Sequence, residues 1–217
     1  MSLQADRSQR VVVLPGDRLW SEGAEGGGLC RLESLPGLME SILLKLPAGG
    51  SLEAAPMDRE VVICEGALEI GGRLFRSGSY LRIPGGAAIF GRAGGETLLF
   101  VKSGPFPEGD RQWLGIDSEG ARFFPGLIPG LSVFSLFSGG TANTAFVRWA
   151  PGTVFQPHRH LGGEEILVLS GTFEDEHGAY PSGSWYRAPH MSRHHPFSRE
   201  GCLIFVKTGH LLESSAS

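Results

Sequence analysis

Two histidines spaced two apart, His158 and His160, precede a Gly162-Gly163 pair and two adjacent carboxylates, Glu164 and Glu165; His194 and His195 follow about thirty residues later. Imidazole nitrogens and carboxylate oxygens are donors that divalent transition metals accept. In a strand, alternate residues face one side, so His158 and His160 can aim at one point. Glycine reaches positive φ at little steric cost, so Gly162-Gly163 permits a tight reversal that returns Glu164 or Glu165 to the histidines. Register decides between the two carboxylates, because a shift of one residue turns a side chain to the opposite face. His194 and His195 pose the same choice. The chemistry expected is three nitrogens and one oxygen around a single divalent transition metal ion. Among the other histidines, His190 reads as a loop residue or a partner behind a ligand. His177, in Asp175-Glu176-His177-Gly178, reads as part of an exposed turn. His210 lies near the polar end Glu213–Ser217 and is expected to be solvated, with that end frayed.

Such a site needs rigid strands to hold it, and strand signals run throughout. Val11–Leu14, Ile42–Leu44, Val61–Ile63, Leu98–Val101, Ile166–Leu169 and Leu203–Val206 are short β-rich apolar runs bounded by Gly, Pro or Ser. Both sides of these runs are apolar, which predicts strands covered on both faces, as in two packed sheets. No long helical pattern interrupts them. The chain also repeats itself: 60–104 overlays 165–209 at a constant offset of 105. Glu60, Gly66, Ser77-Gly78-Ser79, Arg82 and Pro84 match Glu165, Gly171, Ser182-Gly183-Ser184, Arg187 and Pro189. A period of this size means two duplicated domains, expected at 1–105 and 106–217. Opposite His158, His160, Glu164 and His194 the first copy has Glu53, Ala55, Arg59 and Ile89, so it is expected to be a barrel without a metal site.

Composition narrows the function classes. With 33 glycines and 14 prolines but no collagen-like period, the chain fits many short strands joined by turns. A net charge of −4 without basic runs gives nucleic-acid binding no electrostatic support. Three distant cysteines, Cys30, Cys64 and Cys202, without a C-x-x-C, argue against disulfides; Cys64 and Cys202 read as packed thiols. No apolar run approaches the ~20 residues of a membrane span and the first residues are polar, so a cytoplasmic protein is expected.

The spacing is Gly152, five residues, His158, one residue, His160, three residues, Glu164, six residues, Gly171, then Gly183, five residues, Pro189, with His194 closing the second block. This resembles the two motifs of the cupin superfamily, with Met191 where the second motif has glycine and Ser198 where it has asparagine. The resemblance implies an all-β chain of two tandem cupin (double-stranded β-helix, or jelly-roll) barrels, with His158, His160, Glu164 and His194 as ligands of one metal ion. The string Arg148–Phe155, the motif from His158 to Phe173 and Gly178–Trp185 are similar to the cupin domain of ChrR-type anti-sigma factors, closely over about 113–209. That family implies zinc, with iron, manganese or nickel as other metals the same ligands could take. It also implies a sigma factor as partner, gripped through a separate helical domain that is not expected in this chain. The reading is a metal-binding bicupin with a sensing, regulatory or small-ligand-binding role. The same subfamily implies the alternative, a metal-dependent dioxygenase acting on a diketone or hydroxyketone; an isomerase or lyase of carbonyl compounds is a third. Phe155, Trp185 and Tyr186 are candidates for an apolar pocket wall, and Arg148 and Arg187 for contact with an anionic substrate. Core packing or surface charge is the competing reading for all five. A homodimer is a further expectation.

Overall fold

Apart from Leu14, every apolar run singled out above lies in a β-strand of the computed structural model, which describes residues 2–211. Apart from three single-turn 3-10 segments, the described residues contain no helix, and none long and apolar enough to cross a membrane. The fold is all-β, with the strands gathered into two barrels in tandem.

The first barrel's larger sheet runs in the order Leu114–Ile116, Tyr80–Ile83, Arg59–Glu65, Thr97–Ser103, Met39–Leu46, Gly28–Leu35 and Trp20–Glu22, all antiparallel. In the second barrel Val11–Val13, Trp185–Ala188, Glu164–Asp175, Cys202–Thr208, Ala142–Trp149, Leu131–Gly139 and Phe124–Pro125 stand in the same order. The repeat is visible in the register itself. Glu60 faces Arg82 across one strand pair, and Glu165 faces Arg187 across its counterpart. Each barrel closes on its own apolar interior, one around Val61, Ile63, Leu68 and Phe75, the other around Ile166, Val168, Phe173 and Ile204. Glu164 through Val168 are all buried, so both faces of that strand are covered.

Two compact units result, and neither is one continuous stretch. Among the described residues, 2–5 group with Leu19–Ala121, and Asp6–Arg18 group with 122–211. The cause is strand pairing: Val11–Val13 hydrogen-bonds to Trp185–Arg187, and Leu114–Ile116 to Tyr80–Arg82. Compared with the division at 105/106 expected from the repeat, residues 6–18 and 106–121 therefore group with the other unit. Cys30 and Cys202 are buried and Cys64 is partly so; burial pushes the Cys202 thiol up to about 11. The polar end from Glu213 lies outside the described residues.

Candidate metal centre

The site is built on one short strand pair and one turn. His158–Arg159 pairs antiparallel with Arg193–His194, and His158 sits directly across from His194. After His160 the chain reverses through Gly162 and Gly163, both at positive φ, +76° and +72°. A Cβ on Gly163 would lie 2.6 Å from Leu211 Cδ1 and 2.8 Å from the Ala188 carbonyl, so the turn needs glycine for space as well as for φ. The long strand Glu164–Asp175 begins at once and carries Glu164 back beside the histidines.

One ligating nitrogen from each of His158, His160 and His194 lies within 4.8 Å of the others. Nε2 of His160 and Nε2 of His194 are 2.9 Å apart. Glu164 Oε2 stands 3.5 Å from the first and 3.6 Å from the second. Two nitrogens each about 2.1 Å from one ion at a right angle would be about 3.0 Å apart, so the His160–His194 spacing suits adjacent ligands of one transition metal ion.

Protonation favours the same use. Burial, with His194 and His158 alongside, drives His160 down to about 3, so its imidazole is neutral and offers a lone pair. His158 is also lowered by burial, against a hydrogen bond to the Gln156 carbonyl that favours its charge. Because a carbonyl only accepts, Nδ1 of His158 donates to it at 2.9 Å and Nε2 keeps the lone pair. Burial also pushes Glu164 up to about 7 despite His194 and the Tyr186 hydroxyl, which donates to Oε2 at 3.3 Å. A buried carboxylate of this kind gains from a cation beside it. His194 is different: burial opposes its charge, but Asp175 and Glu164 outweigh burial and raise it.

The structure separates the paired candidates. Glu165 points to the opposite face from Glu164, accepts from Trp185 Nε1 at 2.8 Å and lies 3.1 Å from His210 Nε2. The first barrel repeats this arrangement, with Tyr80 donating its hydroxyl to Glu60. The His195 amide donates to Glu176, and the His190 ring accepts from the Gly162 amide at 2.9 Å. His177 is exposed, as its turn suggested. His210 is not solvated: its side chain is 8% exposed because it turns inward to Glu165.

The five pocket candidates divide likewise. Phe155 packs edge-on against His158 with ring centres 4.9 Å apart, and Tyr186 reaches Glu164. Alternation along the strand turns Trp185 and Arg187 away from the histidines. Trp185 goes to Glu165 and Arg187 to the Asp6 carbonyl at 2.8 Å. Arg148 is exposed and lies over the Phe123 ring at 4.1 Å. In the first barrel Arg59 occupies the Glu164 position and donates to the Glu53 carbonyl, while Ile89 packs on the apolar core.

Sequence reasoning missed Asp175 and Arg10. Asp175 looked like part of an exposed turn, yet it is buried behind His194, with Oδ2 3.6 Å from His194 Nδ1. One usable signal was the isoleucine, Ile70, at the matching place in the first copy.

Residues 112–212 match the family model of the ChrR cupin-like domain. No curated protein matches the chain. Among solved structures, a protein from Nostoc punctiforme provisionally assigned as a dioxygenase superposes with a TM-score of 0.80 at 16% identity, covering 96% of this chain and 85% of its own. A glyoxylate-induced protein, also provisionally assigned, from Pseudomonas aeruginosa gives 0.74 at 14% identity, with 99% and 96% covered. Oxalate decarboxylase from Lactobacillus farciminis, solved with formate, gives 0.65 at 14% identity, with 94% and 87% covered. At these identities the likeness establishes the cupin fold.

Proposed function

We propose that the second barrel holds one divalent transition metal ion through His158, His160, Glu164 and His194, in a sensing, regulatory or small-ligand-binding role. The observation that carries this is the convergence of two imidazole Nε2 atoms, 2.9 Å apart, on one buried carboxylate oxygen 3.5 and 3.6 Å away. The match of 112–212 to the ChrR cupin-like domain supports the same reading, and zinc is the metal proposed. Four protein ligands close a tetrahedral zinc site, which suits a structural or sensing role.

A second reading, a dioxygenase acting on a diketone or hydroxyketone, is favoured by the position of His158. That ligand is only half-buried and lies beside Phe155, at the solvent side of the cluster. On six-coordinate iron or manganese the four protein ligands would leave two places for substrate atoms or oxygen. Zinc, having no accessible redox change, would not support that chemistry.

The deciding measurement is oxygen uptake by iron-loaded protein across a panel of β-diketones and hydroxyketones, beside the same protein loaded with zinc. Under the sensing reading, neither form consumes oxygen, and zinc raises the melting temperature because ligation favours the folded state. Iron-dependent uptake abolished by His160→Ala would establish the enzyme instead.

A further inference from the structure

Behind His194, on the side away from the other ligands, lies a chain of polar groups that the four-ligand site does not use. Asp175 Oδ2 is 3.6 Å from His194 Nδ1, and the Asp175 side chain is fully buried. Its other oxygen, Oδ1, is fixed by three donors: the Tyr180 hydroxyl at 2.8 Å, the His177 amide at 2.8 Å and the Gly178 amide at 3.2 Å. Oδ2 takes a charge-assisted bond from Arg10 Nη2 at 2.8 Å. The Arg10 guanidinium lies over the Tyr186 ring, 4.8 Å from its centre, and Tyr186 reaches Glu164.

The first barrel serves as an internal comparison. At the offset of 105, Ile70 stands opposite Asp175, Phe75 opposite Tyr180, Leu81 opposite Tyr186 and Ile89 opposite His194. Strand register extends the comparison to the N-terminal segment: Val11 faces Arg187 as Leu114 faces Arg82, which puts Trp113 opposite Arg10. Ile70, Phe75 and Leu81 are core residues, and Ile89 and Trp113 pack against them. The barrel that lacks the ligands thus lacks the whole chain behind them and fills its place with hydrocarbon. A buried acid and arginine kept for folding alone would have no reason to vanish together with the histidines.

We infer that Asp175 is a positioning residue of the metal centre, holding the His194 ring so that Nε2 faces the ion, and that Arg10 clamps Asp175 in place from the N-terminal segment. The inference rests on the metal site proposed above. A carboxylate against the far nitrogen of a ligating histidine fixes its tautomer and ring orientation and raises its basicity. Arg10 makes the orientation of Oδ2 depend on Asp6–Arg18, a segment remote in sequence from every ligand.

The test is cobalt(II) titration of the metal-stripped full-length protein, read as Kd and as the visible absorption bands of the bound ion. Asp175→Asn keeps the size of the side chain and is expected to raise Kd about ten- to a hundredfold and to shift the bands. Wild-type Kd and bands in that variant overturn the inference. Should Asp175→Asn not fold, Arg10→Ala decides: its native side chain is 25% exposed, so the loss is tolerable, and shifted bands support the clamp while unchanged bands overturn it. His160→Ala separates this from the underlying reading. Wild-type cobalt binding in His160→Ala means that the four-residue site itself is wrong, whatever Asp175 does.

Discussion

Glu164 and Glu165 are neighbours in sequence and back to back in space. The first meets His160, His194 and Tyr186; the second meets Trp185 and His210 on the other face of the same strand. Their substitutions should therefore separate cleanly. Glu164→Gln is expected to remove most bound metal with little loss of fold, since the carboxylate is costly to bury without a cation. Glu165→Gln is expected to keep the metal and lose about 1–3 kcal/mol of stability, because it weakens a buried hydrogen-bonded acceptor. Elemental analysis paired with urea unfolding checks both, and equal metal loss from the two would contradict the assignment of faces.

Metal content should be one equivalent per chain. Ala55 and Ile89 offer no donor, and Arg59 puts a cation where the second barrel has its carboxylate. Elemental analysis of protein purified without chelators reads this directly, and a value near two would mean that the first barrel also binds.

Metal affinity should fall as pH drops below about 7. The ligand is the ionised carboxylate, and burial holds the Glu164 proton up to about 7 in the metal-free protein, so below that pH an ion must displace a proton. His194, also raised, adds to the competition in the same direction. His160, held down to about 3, contributes none of it near neutrality. Metal titrations from pH 5.5 to 8.5 should show the loss on the acid side; a flat profile would count against Glu164 as a ligand.

The two turns that frame the site should respond oppositely to substitution. Gly163→Ala forces a Cβ at φ +72° into Leu211 and the Ala188 carbonyl, and should cost about 1–3 kcal/mol along with metal affinity. Met191 sits at φ +62° where the cupin motif has glycine, and Met191→Gly should stabilise by about 1 kcal/mol. Thermal melts of the two variants check the signs.

How much was written in the chain depends on the range of the interaction. Strand positions, the Gly162-Gly163 reversal and the shared facing of His158 and His160 follow from alternation and from φ, which act within a few residues; His194 joins them by pairing across from His158. The duplication, too, was open to inspection, and the paired registers of Glu60 with Arg82 and Glu165 with Arg187 reproduce it. Facing was not: Glu164 and Glu165 are the same residue type, and only the pairing of their strand with Trp185–Ala188 and Cys202–Thr208 fixes which one turns inward. Asp175 looked like a turn residue because its partner Arg10 is 165 positions away, and His210 looked solvated because Glu165 is 45 positions away. Contacts at that separation exist only once the sheets have formed, so the tertiary structure alone decided which buried charges meet and which segment, Asp6–Arg18, completes the second barrel.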